Sequence, residues 1–208
     1  MSSEEKVIEG TSIKDSGARR QFAGGAVRDM SNDKGRMDLL PLDIVYEWAN
    51  IYDGLIWKIE KEKYVFSSKT LFKYISRFVS ENTDNDLYTL LSIFASVAFK
   101  DISTALIEVS IHYQQGSIKY AERNWQKSLP TSSFLDSAMR HACKYLRGDK
   151  DERHDRAFIW NILGLLWTKK HHPEVDNIFY GDNYSGKYID EFNEKWNPKD
   201  DKEENINT

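Results

Sequence analysis

Acidic and imidazole side chains gather where one predicted helix ends and the next begins, in the second half of the chain. They belong to Asp136, His141, Glu152 and His154. Oxygen ligands together with imidazoles suit a divalent cation that holds phosphate oxygens, and Mg²⁺ or Mn²⁺ is preferred to zinc where carboxylates dominate. We predict that these four residues are catalytic and that Asp136, His141 and His154 bind the metal. Ion pairing at a solvated helix end also explains the pattern.

The preceding predicted helix carries Glu108 and His112, which are four residues apart. Residues at this spacing share one face of a helix and can both bind one ion. We therefore predict Glu108 as a further metal ligand. An exposed glutamate beside a histidine packed on Tyr113 is the simpler alternative.

Basic, amide and aromatic side chains lie close together in "IKYAERNWQKSLP", residues 118–130. Lys119 and Arg123 are four residues apart, and Asn124 and Trp125 come next. Cations of this kind suit a polyphosphate, because arginine reaches two oxygens at once and lysine acts as a point charge. We predict that Lys119, Arg123 and Asn124 bind substrate. A solvated helix end favoured by the helix dipole is the alternative.

A glycine-rich segment near the N-terminus, "GGAVRDMSNDKGRMD", matches no Walker A pattern but places cations beside glycines. Its Arg28, Lys34 and Arg36 fit a lid that holds an anion. We predict that these three residues bind substrate, together with Arg140 and Asn161.

Helices must position all of these groups, because strand signals are nearly absent. Apolar residues recur at helical spacing from Pro41 onward, twice between Tyr64 and Lys100, and again from about residue 103 to Tyr120. Two further helices follow: the first ends at Gly148, a suitable C-cap, and the second ends before Pro173. The sequence predicts an all-α fold whose last two helices form an antiparallel pair.

Composition excludes several classes of protein. The 208-residue chain has a formal net charge of −4 and no basic stripe, so we expect no duplex nucleic acid as partner. A single cysteine, Cys143, excludes an intramolecular disulfide and a cysteine-rich zinc site. The longest apolar run, Leu87 to Phe99, is too short to span a bilayer, and the first residues do not resemble a signal peptide. We expect a cytoplasmic protein, in the host cell if a phage encodes it, that does not enter a membrane.

Four blocks together resemble the phage-borne dATP/dGTP diphosphohydrolase family, which is related to the all-α, MazG-like nucleoside triphosphate pyrophosphohydrolases. The blocks are "GGAVRD…KGRMDLLP", "IKYAERNW", "LDSAMRHACKYLRGD" and "HDRAFIWNILGLL", over about residues 23–50 and 104–168. The resemblance implies a MazG-like helix bundle with a helical insertion. The resulting division is a flexible segment 1–22, a domain 23–172 with insertion 53–103, and a tail 173–208 whose end is disordered.

The resemblance also implies a reaction: metal-dependent hydrolysis of dATP or dGTP between the α and β phosphates, which releases monophosphate and pyrophosphate. MazG-like enzymes carry paired acidic residues in an "ExxE…ExxD" pattern, which is not present here in clean form. MazG-like bundles bury apolar faces between subunits, so we expect a homo-oligomer, a dimer or a tetramer.

Two other functions remain open at this stage. The same cations could hold a nucleotide or a nucleotide-derived signal without turnover. Alternatively, His141 with the His154-Asp155 pair resembles the "H…HD" pattern of metal-dependent HD phosphohydrolases, which would release tripolyphosphate. An HD site needs a further downstream aspartate, and the chain offers only Asp176 beyond Pro173.

Overall fold

The computed structural model describes residues 6–7, 14–15, 17–29 and 34–178. In these residues the chain forms six α-helices: α1 Leu42–Glu62, α2 Ser68–Glu81, α3 Asp84–Ala98, α4 Ile102–Tyr120, α5 Thr131–Arg147 and α6 His154–His171. Three short 3₁₀ helices cover Met37–Leu39, Asn124–Gln126 and Pro173–Val175. The prediction of an all-α fold is confirmed, while a relation to MazG-like bundles stays a prediction.

The helices begin and end where local hydrogen bonds satisfy their free backbone groups. The side chain of Ser67 accepts from the N–H of Thr70 at the start of α2, and Asp101 does the same for Thr104 at the start of α4. Gly148 ends α5 in the left-handed conformation, with φ +85°, as its position predicted. The starts of α2 and α4 and the end of α5 therefore follow from local sequence, whereas the N-cap residues of α5 and α6 make no side-chain capping bond.

Helix α6 lies at the centre of the fold and contacts α1, α3, α4 and α5. Its apolar residues are buried on nearly all sides, as expected of a central helix. Helix α5 approaches it closely at Gly164, where an added Cβ would lie 2.6 Å from a ring carbon of Phe134. This close antiparallel packing fixes how the first residues of α6 face α5.

The predicted insertion 53–103 contains α2, α3 and the second half of α1. Its side chains share one apolar core with α6: the rings of Phe94 and Phe158 are 4.6 Å apart, and Phe66 packs on both. Position 53 lies within α1 and position 103 within α4. That residues 53–103 are an insertion stays a prediction.

Two antiparallel strand pairs precede the helices. Strands β1, Lys6–Val7, and β2, Lys14–Asp15, form one pair, and β3, Arg19–Gln21, and β4, Val27–Asp29, form the other. These strands were not predicted from the sequence, because two or three residues are too few for an alternating pattern to show. The predictions for segments 1–22 and 173–208 fall mostly outside the described residues.

No single helix in the described residues is long and apolar enough to cross a membrane. Helices α3 and α4 meet the criteria of length and composition only when taken together, and they are bent by 94° relative to each other.

Candidate functional site

Two buried histidines form the centre of the candidate site. His141 on α5 and His154, the first residue of α6, are 9% and 2% exposed, and their Nδ1 atoms are 2.9 Å apart. The Nε2 atom of His154 lies 2.8 Å from a carboxylate oxygen of Asp151, whose second oxygen accepts from Lys144 at 2.8 Å. A hydrogen-bonded chain therefore runs from the solvent-facing Lys144 to the buried His141.

This chain of hydrogen bonds specifies where the protons lie. The Lys144 ammonium, and after it the bond from His154, lower the pKa of Asp151, so the carboxylate is ionised and can only accept. His154 must then carry its proton on Nε2. In its neutral form His154 accepts at Nδ1 from the Nδ1–H of His141. In that tautomer the Nε2 atom of His141 keeps a lone pair, which can bind a metal ion or accept a proton.

The surroundings keep His141 neutral. Burial lowers the pKa of His141, although the negative charge of Glu152 acts in the opposite direction. The pKa of His112 on α4 is also lowered, chiefly by burial, and it responds to the charges of Glu152 and His141. His112 therefore lies within electrostatic reach of Glu152 and His141, and burial favours the neutral imidazole at His112 and at His141.

Two groups of side chains bring candidate ligand atoms within 4.8 Å of one another in the described residues. One comprises His141, Glu152 and His154, and the other comprises Asp149, Asp151 and His154. The mixed imidazole and carboxylate set fits a divalent cation. Both nitrogens of His154 are engaged in hydrogen bonds, so the free lone pair of His141 and the exposed carboxylate of Glu152 are the most accessible ligands.

Asp136, predicted as a ligand, belongs to neither group. It is exposed and forms an ion pair with Arg140, one helical turn away, at 2.7 Å. The reason is helical geometry: five residues correspond to a rotation of roughly 140° around the axis, so Asp136 and His141 face different sides of α5. The arrangement does not support a direct bond from Asp136 to a metal held by His141. The role of Asp136 as a ligand stays a prediction.

Glu108 on α4 is held by guanidinium groups. One of its oxygens accepts from Arg153 at 2.9 Å and from two nitrogens of Arg156 at 2.9 and 2.6 Å. Burial opposes ionisation of Glu108, but these partners outweigh it and lower its pKa. The carboxylate ties α4 to the start of α6 and lies in neither group of candidate ligands.

The aspartates of the HD-type alternative are not among the groups around the histidine pair. Asp155 accepts from Arg153 at 2.7 and 2.9 Å. Asp176 accepts from the hydroxyl of Thr131, at the start of α5. In the described residues, His141 and His154 therefore contact each other as an "H…HD" site requires, but Asp155 and Asp176 do not join them.

The loop 34–40 crosses α4 and brings two predicted substrate-binding cations together. The N–H of Gly35 donates to the side chain of Gln114 at 3.0 Å, and the N–H of Arg36 donates to the carbonyl of Ser110 at 3.1 Å. From the other side, Arg123 donates to the carbonyl of Asp38 at 2.9 Å.

Side-chain partners hold Arg36 in place. Its guanidinium pairs with Asp38 and Glu122, which raise its pKa. Arg36 and Arg123 therefore lie on one surface, with Lys34 exposed beside them. A phosphate that bound there would exchange with the present partners of Arg36.

The other predicted substrate-binding residues are dispersed. Arg28 is exposed on β4, and the ammonium of Lys119 lies over the Tyr120 ring, 4.7 Å from its centre. Arg140 pairs with Asp136, as described above. The Asn161 amide is buried and donates to the carbonyl of Ala157 at 2.7 Å. Their roles in substrate binding stay predictions.

A cavity of about 320 Å³ opens beside Arg123 and Asn124. Four aromatic rings line it: Tyr113, Tyr120, Trp125 and Trp160. The ring of Trp160 also contacts His112, with centroids 5.8 Å apart, so one side chain adjoins both the cavity and the histidine site. The cavity was not predicted from the sequence, although Tyr113, Gly116 and Tyr120 recur at helical spacing on one face of α4.

Residues 86–178 match the family model described as "dATP/dGTP diphosphohydrolase, N-terminal". The match covers a little under half of the chain and includes the histidine pair, Glu152 and the four aromatic residues of the cavity. It overlaps the end of the predicted insertion at 86–103, and the block at 23–50 lies outside it. No curated protein and no solved structure matches the chain.

Proposed function

We propose that this chain, whose residues 86–178 match the dATP/dGTP diphosphohydrolase family model, hydrolyses purine deoxynucleoside triphosphates to monophosphate and pyrophosphate with Mg²⁺ or Mn²⁺. The observation that carries the proposal is the buried pair of His141 and His154 with Glu152, whose candidate ligand atoms lie within 4.8 Å of one another inside the matched segment. The comparison supports a hydrolase, and the substrate, metal and bond cleaved are our proposal.

His141 and Glu152 would hold the divalent ion, with phosphate oxygens and water completing its ligands. When bound, such an ion neutralises phosphate charge and lowers the pKa of a coordinated water. His154, held by Asp151, would accept the Nδ1–H of His141 and so leave the Nε2 atom of His141 for the ion. His154 thus acts in this proposal as a positioning residue for His141.

The reaction forms one bond and breaks one. The oxygen of water bonds to the α-phosphorus, and the bond from that phosphorus to the α,β-bridging oxygen breaks. Pyrophosphate leaves with the electron pair. Glu152 is exposed beside the buried histidines, and the carboxylate oxygen that does not bind the ion would take the proton from water.

Cations on the adjoining surface complete the proposal. Lys119, whose ammonium interacts with the charge of Glu152, would stabilise the charge that develops on pyrophosphate. Arg36 and Arg123, with Lys34 beside them, would bind the nucleotide at the end where Arg123 lines the cavity. The family description and these cations both support a polyphosphate substrate.

The test is product analysis by ion-exchange chromatography, with Mg²⁺ or Mn²⁺ and a panel of deoxynucleoside and ribonucleoside triphosphates. We expect pyrophosphate and a purine monophosphate, with purines preferred to pyrimidines and no reaction in EDTA. Tripolyphosphate and a nucleoside would instead indicate HD-type chemistry. Intact nucleotides that nevertheless raise the melting temperature would indicate a binding protein without turnover.

Two histidine variants give a matched comparison. His141→Ala should lower turnover at least about 100-fold, since it removes the proposed ligand. His171→Ala is the control, because His171 is exposed at the far end of α6, where its Nε2–H donates to the carboxylate of Asp43. Full activity of folded His141→Ala would refute the assignment of this site.

A further inference from the structure

The aromatic cavity contains two buried polar atoms that lack a partner. The hydroxyl of Tyr113 and the indole N–H of Trp125 form no hydrogen bond within the described part of the chain. These residues are 2% and 6% exposed, and both line the cavity. Buried polar groups are nearly always hydrogen-bonded. Each of the two atoms exposes less than 1 Å², so a molecule in the cavity becomes its partner when the ring that carries the atom rotates slightly towards the cavity.

The walls of the cavity favour a flat, mainly apolar ligand. Two indoles and two phenols surround it, and the floor on α4 is Gly116, which has no side chain. A Cβ built on Gly116 meets no atom within 4 Å, so the space above it is open. Its volume is at the lower end of the range for small-molecule sites, which suits a double-ring heterocycle.

The two unpartnered atoms add a requirement for polar groups on the ligand edge. An indole N–H can only donate, so the ligand must present an acceptor to Trp125. A phenol hydroxyl donates or accepts, so Tyr113 tolerates either kind of group. A purine carries ring-nitrogen acceptors and exocyclic polar groups on one flat bicyclic body.

The cavity is also placed correctly relative to the histidine site. His112 precedes Gly116 by one helical turn, a distance of roughly 6 Å along α4. Trp160 contacts His112 on one side and Tyr113 on the other, with ring centroids 5.8 and 6.0 Å apart. A ligand whose ring lay in the cavity could extend its phosphates along α4 towards His141.

We infer that this cavity binds the purine base of the substrate, with the indole N–H of Trp125 and the hydroxyl of Tyr113 hydrogen-bonded to the base edge. The inference rests on the proposed function for its nucleotide substrate. It adds the residues that select the base, which neither the family description nor the sequence motifs assign.

The first test fills the cavity. Gly116→Leu places a side chain in the open space, and leucine in a helix interior is more favourable than glycine, so the fold should be retained. Gly54→Leu is the matched control, because Gly54 is an exposed glycine of α1 whose Cβ also meets nothing within 4 Å. Binding of dAMP, dGMP and dCMP to each full-length protein is measured by isothermal titration calorimetry without metal.

We expect Gly116→Leu to weaken dAMP and dGMP binding at least about 100-fold, since a filled site excludes the ring. Gly54→Leu should bind as the wild type does. Unchanged purine binding by Gly116→Leu, equal binding of dCMP by the wild type, or no binding of any of the three by the wild type would each overturn the inference.

The second test removes single polar atoms. Tyr113→Phe deletes only the unpartnered hydroxyl, and Trp125→Phe deletes the indole N–H but keeps a ring. Each should weaken purine binding by about 3- to 10-fold, the effect of one hydrogen bond. Tyr113→Phe should leave the melting temperature unchanged or raise it, since no internal hydrogen bond is lost. Lower stability with unchanged affinity would instead show a purely structural role.

The outcomes separate this inference from the proposed function. Purine binding that Gly116→Leu abolishes, without pyrophosphate release by the wild type, would support the cavity and refute the hydrolysis. Pyrophosphate release by the wild type, with an unchanged KM in Gly116→Leu, would support the hydrolysis and refute the cavity as the base site.

Discussion

Replacing Gly35 by alanine should displace the loop 34–40 from α4. Gly35 has φ +79°, and an added Cβ would lie 2.0 Å from the hydroxyl oxygen of Ser110 and 3.0 Å from the backbone nitrogen of Ile111. Ser110 is fully buried and donates to the carbonyl of Ile107, and a backbone nitrogen within α4 cannot move aside. The loop must therefore move.

The cost follows from the contacts that the displaced loop loses. These are the bond from Gly35 to Gln114, the bond from Arg36 to Ser110 and the bond from Arg123 to the loop carbonyl. At about 1 kcal/mol each, the free energy of unfolding falls by about 3 kcal/mol. For a chain of this length that is a drop of roughly 6–12 °C in melting temperature. The KM for nucleotide should rise as well, because Arg36 moves with the loop.

Thermal unfolding and steady-state kinetics check this prediction, with Gly148→Ala as the control. Gly148 has φ +85° but open space around it, so alanine there costs only the left-handed conformation, about 1 kcal/mol. Equal destabilisation by the two substitutions would refute the close approach of the loop to α4. A lower melting temperature with an unchanged KM would show that the loop is structural and does not bind substrate.

Three further predictions address charge and assembly. Glu108→Ala should lower the free energy of unfolding in urea by about 2 kcal/mol, because the mostly buried Arg156 loses its acceptor; lost activity at unchanged stability would instead favour a metal ligand. Burial raises the pKa of Asp86, so the folded state binds a proton before the unfolded state does as pH falls. The unfolding free energy of the wild type relative to Asp86→Asn should therefore increase from pH 7 towards about 4, and a flat difference would contradict this. Light scattering at micromolar concentration should give a dimer or tetramer, and a monomeric mass would argue against self-association.

The sequence alone determined the helices and their order, because the signals involved are local. Apolar residues recur at helical spacing within each helix, and Gly148 ends α5 through a backbone conformation that glycine adopts readily. Local sequence also identified the cations Lys119 and Arg123 and the acidic residues around the turn between α5 and α6. The strands β3 and β4 were not, because three residues are too few to show a period.

Only the tertiary structure decided which of these groups meet. The pairing of His141 with His154 depends on the register of α5 against α6, and the capture of Glu108 by Arg156 depends on the packing of α4 on α6. The aromatic cavity likewise joins Tyr113, Trp125 and Trp160 from three separate elements. Contacts between residues far apart in sequence depend on how whole faces pack, and no spacing within one segment specifies that packing.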